Sequence, residues 1–269
     1  MKTQISIMGC GWLGLSLAQK LVKEGYIVNG STTTKSKLQE FQKQRINPFL
    51  ITLTETSISG DYSKFLTGSD TVIINIPPGL RKDSTKNHVE EIKHLIPEIE
   101  KHKIKNILYI SSTSVFEDAV NFPVITAKKI PNATSNNGKQ LIAIEQMLQA
   151  NSNFKTTILR FGGLIDETRH PSKFLSGKTN ISNPEAPINL IHKTDCIAII
   201  SSILKNGFWN ITLNAAYPKH PNKESYYKEH CERNNLPLPI FSTSGESKGK
   251  IIDSKIMVQL LNYTFKEAP

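Results

Sequence analysis

Three glycines near the start of the chain constrain its fold more than any other feature. They follow a short apolar segment, residues 5–8, and precede apolar residues that recur at helical spacing. In that context a G-x-G-x-x-G pattern makes a tight turn, lets the backbone approach a pyrophosphate and packs the helix closely on the strand. Free N–H groups at the start of the helix then bind the phosphate charge. The sequence therefore predicts a dinucleotide-binding loop made of Gly9, Gly11, Trp12, Leu13 and Gly14.

Strand and helix patterns alternate through the first part of the chain. Six apolar segments rich in β-branched residues predict strands, at residues 5–8, 26–28, 49–53, 71–76, 106–110 and 156–159. The segments between them have helical periodicity, which is typical of a parallel sheet covered by helices on both faces. The predicted fold class is α/β, a Rossmann-type doubly wound parallel sheet with a small C-terminal substrate lobe.

The pattern becomes less regular after residue 161, because glycine and proline interrupt it repeatedly. Candidate strands remain at residues 188–191 and 209–213, and candidate helices at residues 196–204, 225–233 and 254–261. We therefore predict two domains that are partly interleaved. An NAD(P)-binding Rossmann domain spans residues 1–165, and a smaller substrate-binding lobe spans residues 166–269.

The residues after the second predicted strand favour NADP over NAD as the cofactor. Enzymes that use NAD carry an acidic residue about 20 residues beyond the glycine loop, where it binds the ribose 2′-hydroxyl. No carboxylate lies between Val28 and Lys37. A 2′-phosphate would instead find hydroxyl groups and a cation, supplied by Ser31, Thr32, Thr33 and Lys35. The alternative is that Lys35 only decorates the next helix.

The formal net charge of +10 does not by itself indicate nucleic-acid binding. The lysines are scattered, without an arginine-rich run or a recognisable nucleic-acid module. No run approaches the roughly 18 apolar residues of a membrane span, and the apolar part of residues 1–8 is too short for a signal peptide. The three cysteines are far apart, and no His, Cys, Asp or Glu cluster has metal-ligand spacing. We expect a cytoplasmic protein that binds a small-molecule substrate and no metal, nucleic acid or membrane.

Three segments resemble those of a known family. Residues 110–118, Ile-Ser-Ser-Thr-Ser-Val-Phe-Glu-Asp, are similar to the strand-five motif of extended short-chain dehydrogenases/reductases, in their nucleotide-sugar epimerase and dehydratase branch. Residues 159–164 resemble the segment after the sixth strand, and residues 189–195 resemble a box in which His, two residues and Asp precede a C-terminal helix. Order and spacing match over most of the chain. An atypical subgroup also shares an Arg-His-Pro stretch, here residues 169–171, and a late Gly-Lys-Ile-Ile-Asp, here residues 249–253.

This resemblance implies an NAD(P)-dependent oxidoreductase or an epimerase/dehydratase-like enzyme for a small polar substrate such as a nucleotide-sugar. It also implies a homodimer formed by helices at the flank of the sheet, and cofactor contacts at Pro77 and Ser111. The family usually carries Ser or Thr at the end of strand five, matched by Ser112, and a Tyr-x-x-x-Lys on the next helix. There the tyrosine transfers the proton, the lysine lowers its pKa and holds the nicotinamide ribose, and the hydroxyl orients the substrate oxygen.

The tyrosine of that motif has no counterpart, since residues 123–153 contain no tyrosine. If Lys139 corresponds to the family lysine, Ser135 takes the tyrosine position. An alternative alignment places Asn137 there and Leu141 at the lysine. Neither an amide nor a serine hydroxyl supplies a phenol-like acid at neutral pH. The chain therefore uses another proton carrier, catalyses a step that needs no tyrosine, or binds the cofactor without turnover.

Histidine is the natural substitute for the missing tyrosine, because its pKa lies near neutral pH. We predict His170 and His192 as catalytic residues beside Ser112 and Lys139, with the alternative that His192 only fastens a loop. Side chains suited to hold an anionic substrate are Arg160, Arg169, Phe174, Lys178 and Lys193, and the alternative for these cations is simple solvation. A second hypothesis is a non-catalytic NADP-binding sensor or scaffold.

Overall fold

The computed structural model describes residues 3–80 and 83–269 of the chain. Within these ranges the strands are β1 (Gln4–Met8), β2 (Ile27–Thr32), β3 (Asn47–Leu53), β4 (Ile58–Gly60), β5 (Thr71–Ile74), β6 (Asn106–Ser112), β7 (Val124–Ile125), β8 (Lys155–Phe161), β9 (Gly163–Ile165), β10 (Leu190–His192), β11 (Thr212–Ala215) and β12 (Ile251–Ile252). The helices are α1 (Trp12–Lys23), α2 (Leu38–Lys43), α3 (Tyr62–Leu66), α4 (His88–Lys101), α5 (Asn136–Ala150), α6 (Ser172–Leu175), α7 (Lys193–Asn206), α8 (Lys223–Arg233) and α9 (Lys255–Leu261). The predicted α/β class is confirmed.

Eight strands form one sheet in the order β11-β8-β6-β5-β1-β2-β3-β4. β1 pairs in parallel with β2 and β5, β2 with β3, and β5 with β6, while β4 is antiparallel to β3. From β3 to β8 this is the strand order of doubly wound dinucleotide-binding sheets, so the predicted Rossmann-type fold is confirmed. Because the order reverses at β1, such sheets bind their ligands at the carboxyl ends of β1 and its two neighbours.

The centre of the sheet is buried on both faces. Ile7 of β1 and residues 72–74 of β5 are completely buried, as expected for β-branched strands covered by helices on either side. α1 begins at Trp12, which is partly buried, and packs one apolar face inward through Leu13, Leu17 and Leu21. Burial of each of these leucines contributes about 1.5–3 kcal/mol.

The sheet extends one strand further at each edge than the sequence predicts. β4 was not expected, because only one of its three residues is apolar. The strand expected at residues 209–213 in the C-terminal lobe is observed as β11, which belongs to the large sheet. Edge strands are short and carry a weak apolar pattern, so that sequence periodicity locates them poorly.

The chain divides into two compact units whose segments alternate along the sequence. Unit 1 comprises Met1–Val115, Thr134–Leu159 and Ile200–Thr212, and unit 2 comprises Phe116–Ala133, Arg160–Ile199 and Leu213–Pro269. Unit 2 contains the strand pairs β9-β10 and β7-β12. Its apolar cluster consists of Ile165, Ile188, Leu190, Tyr226, Tyr227 and Phe241. Among the described residues, no helix has both the length and the apolar character needed to cross a membrane.

Candidate functional site

The turn from β1 into α1 requires glycine at two positions, Gly9 in the loop and Gly14 in the first turn of the helix. Gly9 has a φ of +98°, and a Cβ on it would lie 2.5 Å from the carbonyl oxygen of Asn75. A Cβ on Gly14 would lie 2.3 Å from the carbonyl oxygen of Gly9. A Cβ on Gly11, by contrast, would meet no atom within 4 Å, so this residue borders open space. The start of α1, with its free N–H groups, can therefore receive a pyrophosphate at Gly11.

Asn75, directly after β5, fixes this loop from the neighbouring strand. Its Nδ2 donates to the carbonyl oxygen of Gly9 at 3.0 Å, and its backbone N–H donates to the carbonyl oxygen of Met8 at 2.9 Å. Asn75 is not among the site residues predicted from the sequence. The only signal was its place after the apolar run of β5, where a strand parallel to β1 ends. Pro77, a predicted cofactor contact, follows two residues later and is exposed.

The end of β2 supports the same loop. Ser31 Oγ accepts from the backbone N–H of Gly9 at 2.9 Å, and the Ser31 carbonyl oxygen accepts from the N–H of Cys10 at 2.8 Å. Gly30 allows close packing there, since a Cβ on it would lie 2.9 Å from Cys10 Sγ. Burial raises the pKa of the Cys10 thiol to about 12. Cys10 is therefore a neutral packing group in this loop.

The residues that follow β2 carry accessible hydroxyl groups and cations. Thr32 Oγ1 accepts from the N–H of Thr34 at 3.1 Å, which turns the chain away from the strand. Thr33 and Lys35 are exposed, and a short 3-10 helix begins at Lys35. Among the residues predicted to bind a 2′-phosphate, the buried Ser31 hydroxyl is engaged by the glycine loop, whereas Thr33 and Lys35 face solvent.

At the end of β6 a buried carboxylate joins the strand to α5. Ser111 Oγ donates to Glu145 Oε1 at 2.6 Å, and both residues are buried. Tyr109, two residues earlier, is fully buried, and desolvation followed by the charge of Glu145 raises the pKa of its phenol. Ser111, a predicted cofactor contact, thus has its hydroxyl engaged by Glu145. Tyr109 is a neutral core group.

The next residues bring hydroxyl and amide groups together. Ser112 Oγ accepts from the N–H of Ser114 at 3.1 Å, and Asn137 Nδ2 donates to Ser114 Oγ at 3.3 Å. All three residues are partly exposed. Such groups orient a carbonyl or hydroxyl oxygen by hydrogen bonds, but none of them supplies a proton at neutral pH as a phenol would.

The start of α5 distinguishes the two alignments of the missing Tyr-x-x-x-Lys. Ser135 is the N-cap residue, and its Oγ accepts from a backbone N–H of the first turn at 3.2 Å. Lys139, a predicted catalytic residue, is exposed. Asn137 instead reaches the hydroxyl groups at the end of β6, and Leu141 is buried. This geometry favours the alignment that puts Asn137 and Leu141 at the tyrosine and lysine positions.

In unit 2 the predicted substrate ligand Arg160 is buried. Its guanidinium lies over the ring of Phe116, 5.1 Å from the centroid. The adjoining segment is held by Lys250, whose Nζ donates to the Phe116 carbonyl oxygen at 2.7 Å and pairs with Asp118 at 2.8 Å. The late Gly-Lys-Ile-Ile-Asp segment therefore has a structural role, in which its strand β12 also pairs with β7.

His170, a predicted catalytic residue of unit 2, is buried with both ring nitrogens engaged. Nδ1 lies 2.7 Å from Ser172 Oγ, and Nε2 lies 2.9 Å from Tyr226 Oη. The ring stacks on that of His230, with centroids 3.6 Å apart. Burial lowers the pKa of His170 to about 4, with smaller contributions from His230 and neighbouring cations. The ring is therefore uncharged at neutral pH.

His192, the other predicted catalytic histidine, is partly exposed and faces a carboxylate. Its Nε2 lies 3.4 Å from Glu167 Oε1, and its Nδ1 accepts from the N–H of Thr194 at 3.3 Å. Because Nδ1 accepts a hydrogen bond, the proton of the neutral ring lies on Nε2, toward the carboxylate. Of the two histidines, His192 has the more accessible ring.

Asp166 organises the turn that precedes His170. It accepts hydrogen bonds from the Thr168 hydroxyl at 2.7 Å and from the backbone N–H groups of Thr168 and Arg169, and it pairs with Lys193 at 3.2 Å. Burial alone would raise the pKa of Asp166, but these hydrogen bonds and the ammonium group lower it to about 2. Lys193, a predicted substrate ligand, is thus engaged with a carboxylate of its own unit.

Three predicted substrate ligands lie exposed along one segment of unit 2. Phe174 belongs to α6 and is 69% exposed, while Arg169 and Lys178 flank the helix and are exposed as well. Lys178 is held in place because its carbonyl oxygen accepts from the N–H of Ile240 at 2.8 Å. The segment therefore offers two cations and an aromatic ring to a ligand that combines negative charge with apolar surface.

Comparison with known proteins gives a family match and several similarities over the whole chain. Residues 9–191 match the model of the NAD(P)H-binding family. The chain is 29% identical over 265 residues to protein YeeZ of Escherichia coli strain K12, covering 98% of this chain and 96% of YeeZ. Solved structures at lower identity share the fold. MoeE5 in complex with UDP-glucuronic acid and NAD has a TM-score of 0.78 at 14% identity, covering 99% and 94% of the two chains. UDP-N-acetylglucosamine 4-epimerase from Bacillus cereus has a TM-score of 0.78 at 15% identity, covering 99% and 92%.

Proposed function

The chain belongs to the NAD(P)H-binding family, and we propose that it is an NADP-dependent oxidoreductase or epimerase-like enzyme for a small anionic substrate. The observation that carries this proposal is the loop between β1 and α1. Backbone contacts demand glycine at Gly9 and Gly14, whereas Gly11 borders open space. That geometry, at the carboxyl end of the first strand, fits a pyrophosphate. When bound, the cofactor supplies or accepts a hydride.

The preference for NADP rests on the charges that follow β2. Thr33 and Lys35 are exposed there, and the first carboxylate after the strand is Glu40, within α2. A 2′-phosphate is favoured by a hydroxyl donor and an ammonium group, whereas a free ribose hydroxyl is normally bound by an acid. We propose Thr33 and Lys35 as the residues that bind the 2′-phosphate.

The substrate that fits best is a nucleotide-sugar or another small polar anion. MoeE5 was solved with UDP-glucuronic acid, and the B. cereus structure is named for UDP-N-acetylglucosamine. In this chain the exposed Arg169, Phe174 and Lys178 support an anionic ligand. Arginine binds phosphate or carboxylate through two parallel N–H groups, and an aromatic ring provides an apolar wall.

The proposed reaction needs a proton carrier other than tyrosine. We propose His192, because its ring is partly exposed and its Nε2 proton faces the carboxylate of Glu167. The contact with the carboxylate orients the ring, and a positioned imidazole within reach of a substrate oxygen can transfer a proton. Ser112, with Ser114 and Asn137 beside it, is the group proposed to orient a substrate oxygen.

The test is a binding and turnover assay on the full-length chain. We expect NADPH to bind at least about tenfold more tightly than NADH, which corresponds to about 1.4 kcal/mol. A panel of nucleotide-sugars, keto acids and aldehydes is then followed both by NADPH absorbance and by product chromatography, since an epimerase regenerates its cofactor. Absence of binding by either nucleotide at millimolar concentration overturns the proposal, and tighter binding of NADH overturns the NADP assignment.

A second function is favoured by one observation. In the alignment that the contact between Asn137 and Ser114 favours, Asn137 and Leu141 correspond to the family tyrosine and lysine, and neither transfers a proton. A non-catalytic NADP-binding sensor or scaffold would bind NADPH saturably, yet form no product from any substrate of the panel. A clear turnover rate with the unaltered protein would exclude this function.

A further inference from the structure

Unit 2 contains two histidines whose rings lie face to face. His170 precedes α6, and His230 lies in α8. Their ring centroids are 3.6 Å apart, and the angle between the two ring planes is 5°. Ser172, the first residue of α6, places its Oγ 2.7 Å from Nδ1 of His170 and 2.8 Å from Nδ1 of His230. His170 and Ser172 are buried, whereas His230 is partly exposed. One hydroxyl group therefore bridges both rings.

The backbone hydrogen bond to His170 favours the neutral form of its ring. The backbone N–H of Ser172 donates to Nδ1 at 3.2 Å, so this nitrogen has to be an acceptor. The single ring proton then lies on Nε2 and is donated to Tyr226 Oη at 2.9 Å. A second proton, on Nδ1, would face the N–H of Ser172 donor to donor. Protonation of His170 therefore breaks a buried hydrogen bond as well as placing a charge in the interior.

The surroundings also disfavour a positive charge on either ring. Among the described residues, the hydrogen-bond partners of both rings are neutral groups of Ser172, Tyr226 and Asn234. The side chains that pack against the two tyrosines of α8 are apolar, and they come from β9, β10 and residue 241. In the part of the chain that the structure describes, the titratable groups that act on the pair or on its contacts come from α6 and α8, and they are Lys173, Tyr226, Tyr227, Glu229, Cys231 and Arg233. Burial and then the charges of Lys173 and Arg233 lower the pKa of both imidazoles.

We propose that the His170–His230 pair is an acid-sensitive latch, which holds α6 against α8 while both rings are neutral and opens when either ring is protonated. Opening would move Phe174 within α6 and the flanking Arg169 and Lys178. These are the residues to which the proposed function assigns the anionic substrate, so substrate binding would weaken in acid. The latch itself follows from contacts within unit 2 and does not depend on that function.

The first test is hydrogen exchange of the full-length chain, read by mass spectrometry. Protection factors, corrected for the intrinsic effect of pH, are compared at about pH 7.5 and about pH 5, on either side of the usual histidine pKa. We expect residues 170–178 and 223–233 to lose protection by about tenfold or more, because each pH unit below that pKa favours the open form by up to tenfold. Peptides from β1 and β5 should keep their protection, which separates a local opening from acid unfolding.

Matched variants link this change to the two rings. In the double variant His170→Gln/His230→Gln, each glutamine keeps one donor and one acceptor but cannot be protonated. We expect it to show equal protection of α6 and α8 at both pH values. The control His94→Gln removes a partly exposed histidine from α4 and should respond like the unaltered chain. A double variant that still loses protection in acid overturns the latch.

A measurement on the unaltered chain covers the case in which the double variant does not fold. The Cε1–H proton of each imidazole is followed by NMR as the pH is lowered. We expect the His170 signal to titrate at least about one pH unit below the usual value near 6.5, together with the loss of exchange protection in α6 and α8. A His170 ring that titrates near 6.5, or that becomes protonated without this loss of protection, overturns the proposal.

Discussion

The Nδ2 atom of Asn75 lies 3.0 Å from the carbonyl oxygen of Gly9 and donates a hydrogen bond to it. This contact ties the end of β5 to a loop whose first glycine has a φ of +98°, a conformation that residues with a Cβ adopt only at a cost. Because neighbouring strands hold the loop in this conformation, binding of a dinucleotide would cost little loop-ordering entropy.

Removal of this contact should weaken cofactor binding. In Asn75→Ala the Gly9 carbonyl loses its donor, and we expect the dissociation constant of NADPH to rise about fivefold to tenfold and the free energy of unfolding to fall by about 1 kcal/mol. Fluorescence titration and urea unfolding measure the two effects. Asn75→Asp, which has no donor and adds a negative charge beside the loop, should bind NADPH still less well. An unchanged dissociation constant in both variants would show that Asn75 only supports the fold.

The glycines of the loop should separate binding from stability. A side chain on Gly11 would enter open space, whereas a Cβ on Gly14 would lie 2.3 Å from the carbonyl oxygen of Gly9. Gly11→Val should therefore melt close to the unaltered protein but bind NADPH at least about tenfold less tightly. Gly14→Ala should lose about 1–3 kcal/mol of stability through steric overlap. If calorimetry shows that Gly11→Val is destabilised while titration shows that it still binds NADPH normally, a pyrophosphate site at Gly11 is contradicted.

A charge reversal after β2 should change the cofactor preference. Lys35→Glu removes the exposed ammonium and places a carboxylate where a ribose hydroxyl would be bound. We expect NADPH binding to weaken by about tenfold or more, with little change for NADH. Lys43→Glu, at the end of α2, makes the same change in net charge and should leave both dissociation constants unaffected. If Lys35→Glu and Lys43→Glu weaken NADPH binding equally, the effect comes from long-range electrostatics and not from a contact with the 2′-phosphate.

Adjacent serines at the end of β6 should have different roles. Ser111→Ala removes the donor to the buried Glu145 carboxylate, and we expect a loss of about 2 kcal/mol in the free energy of unfolding. Ser112→Ala should cost much less stability but should lower any turnover that the substrate panel reveals. Denaturant unfolding and initial rates make the comparison. If Ser111→Ala and Ser112→Ala lose the same amount of stability, the two serines do not have different roles.

Acid should remove the stabilisation supplied by Asp166. The pKa of Asp166 in the folded protein is about 2, below the ordinary value of 3.8. The ionised carboxylate therefore stabilises the fold above about pH 4, and this contribution disappears as the pH falls from about 4 to about 2. At neutral pH, Asp166→Asn should lose about 2 kcal/mol of stability, and the difference from the unaltered protein should shrink over that pH range. Asp61→Asn, at an exposed ion pair with Lys64, should have little effect at any pH. A difference for Asp166→Asn that does not vary with pH would contradict the assignment.

The centre of the sheet was predictable because its pattern is strong and local. The strand β5 is a β-branched run in sequence and is buried along its length in the structure, and the turn after it is marked by Pro77 and Pro78. Shorter elements lack such a signal. β7 and β12 have two residues each and α6 has four, so that partners distant in sequence, rather than periodicity, determine where they form.

The candidate site also has a part that the sequence predicts and a part that it does not. The glycine loop is a contiguous motif, and the sequence predicts it together with its flanking strand and helix. Asn75 is 66 residues from Gly9, and Glu145 is 34 residues from Ser111, so no local sequence pattern predicts either contact. His170 was predicted as a titratable group, but its stacking partner His230 could not be, because only the packing of α6 on α8 brings the rings together.

Cys10 lies inside the glycine loop between β1 and α1, yet the surrounding packing removes its reactivity. Peroxides attack the thiolate, and burial raises the pKa of this thiol to about 12, so the reactive form is scarce at physiological pH. The sulfur also has no room for an added oxygen on the side of β2, where even a methyl group on Gly30 would lie 2.9 Å away. The proposed nucleotide site, although it has a cysteine at its centre, should therefore continue to work during oxidative stress.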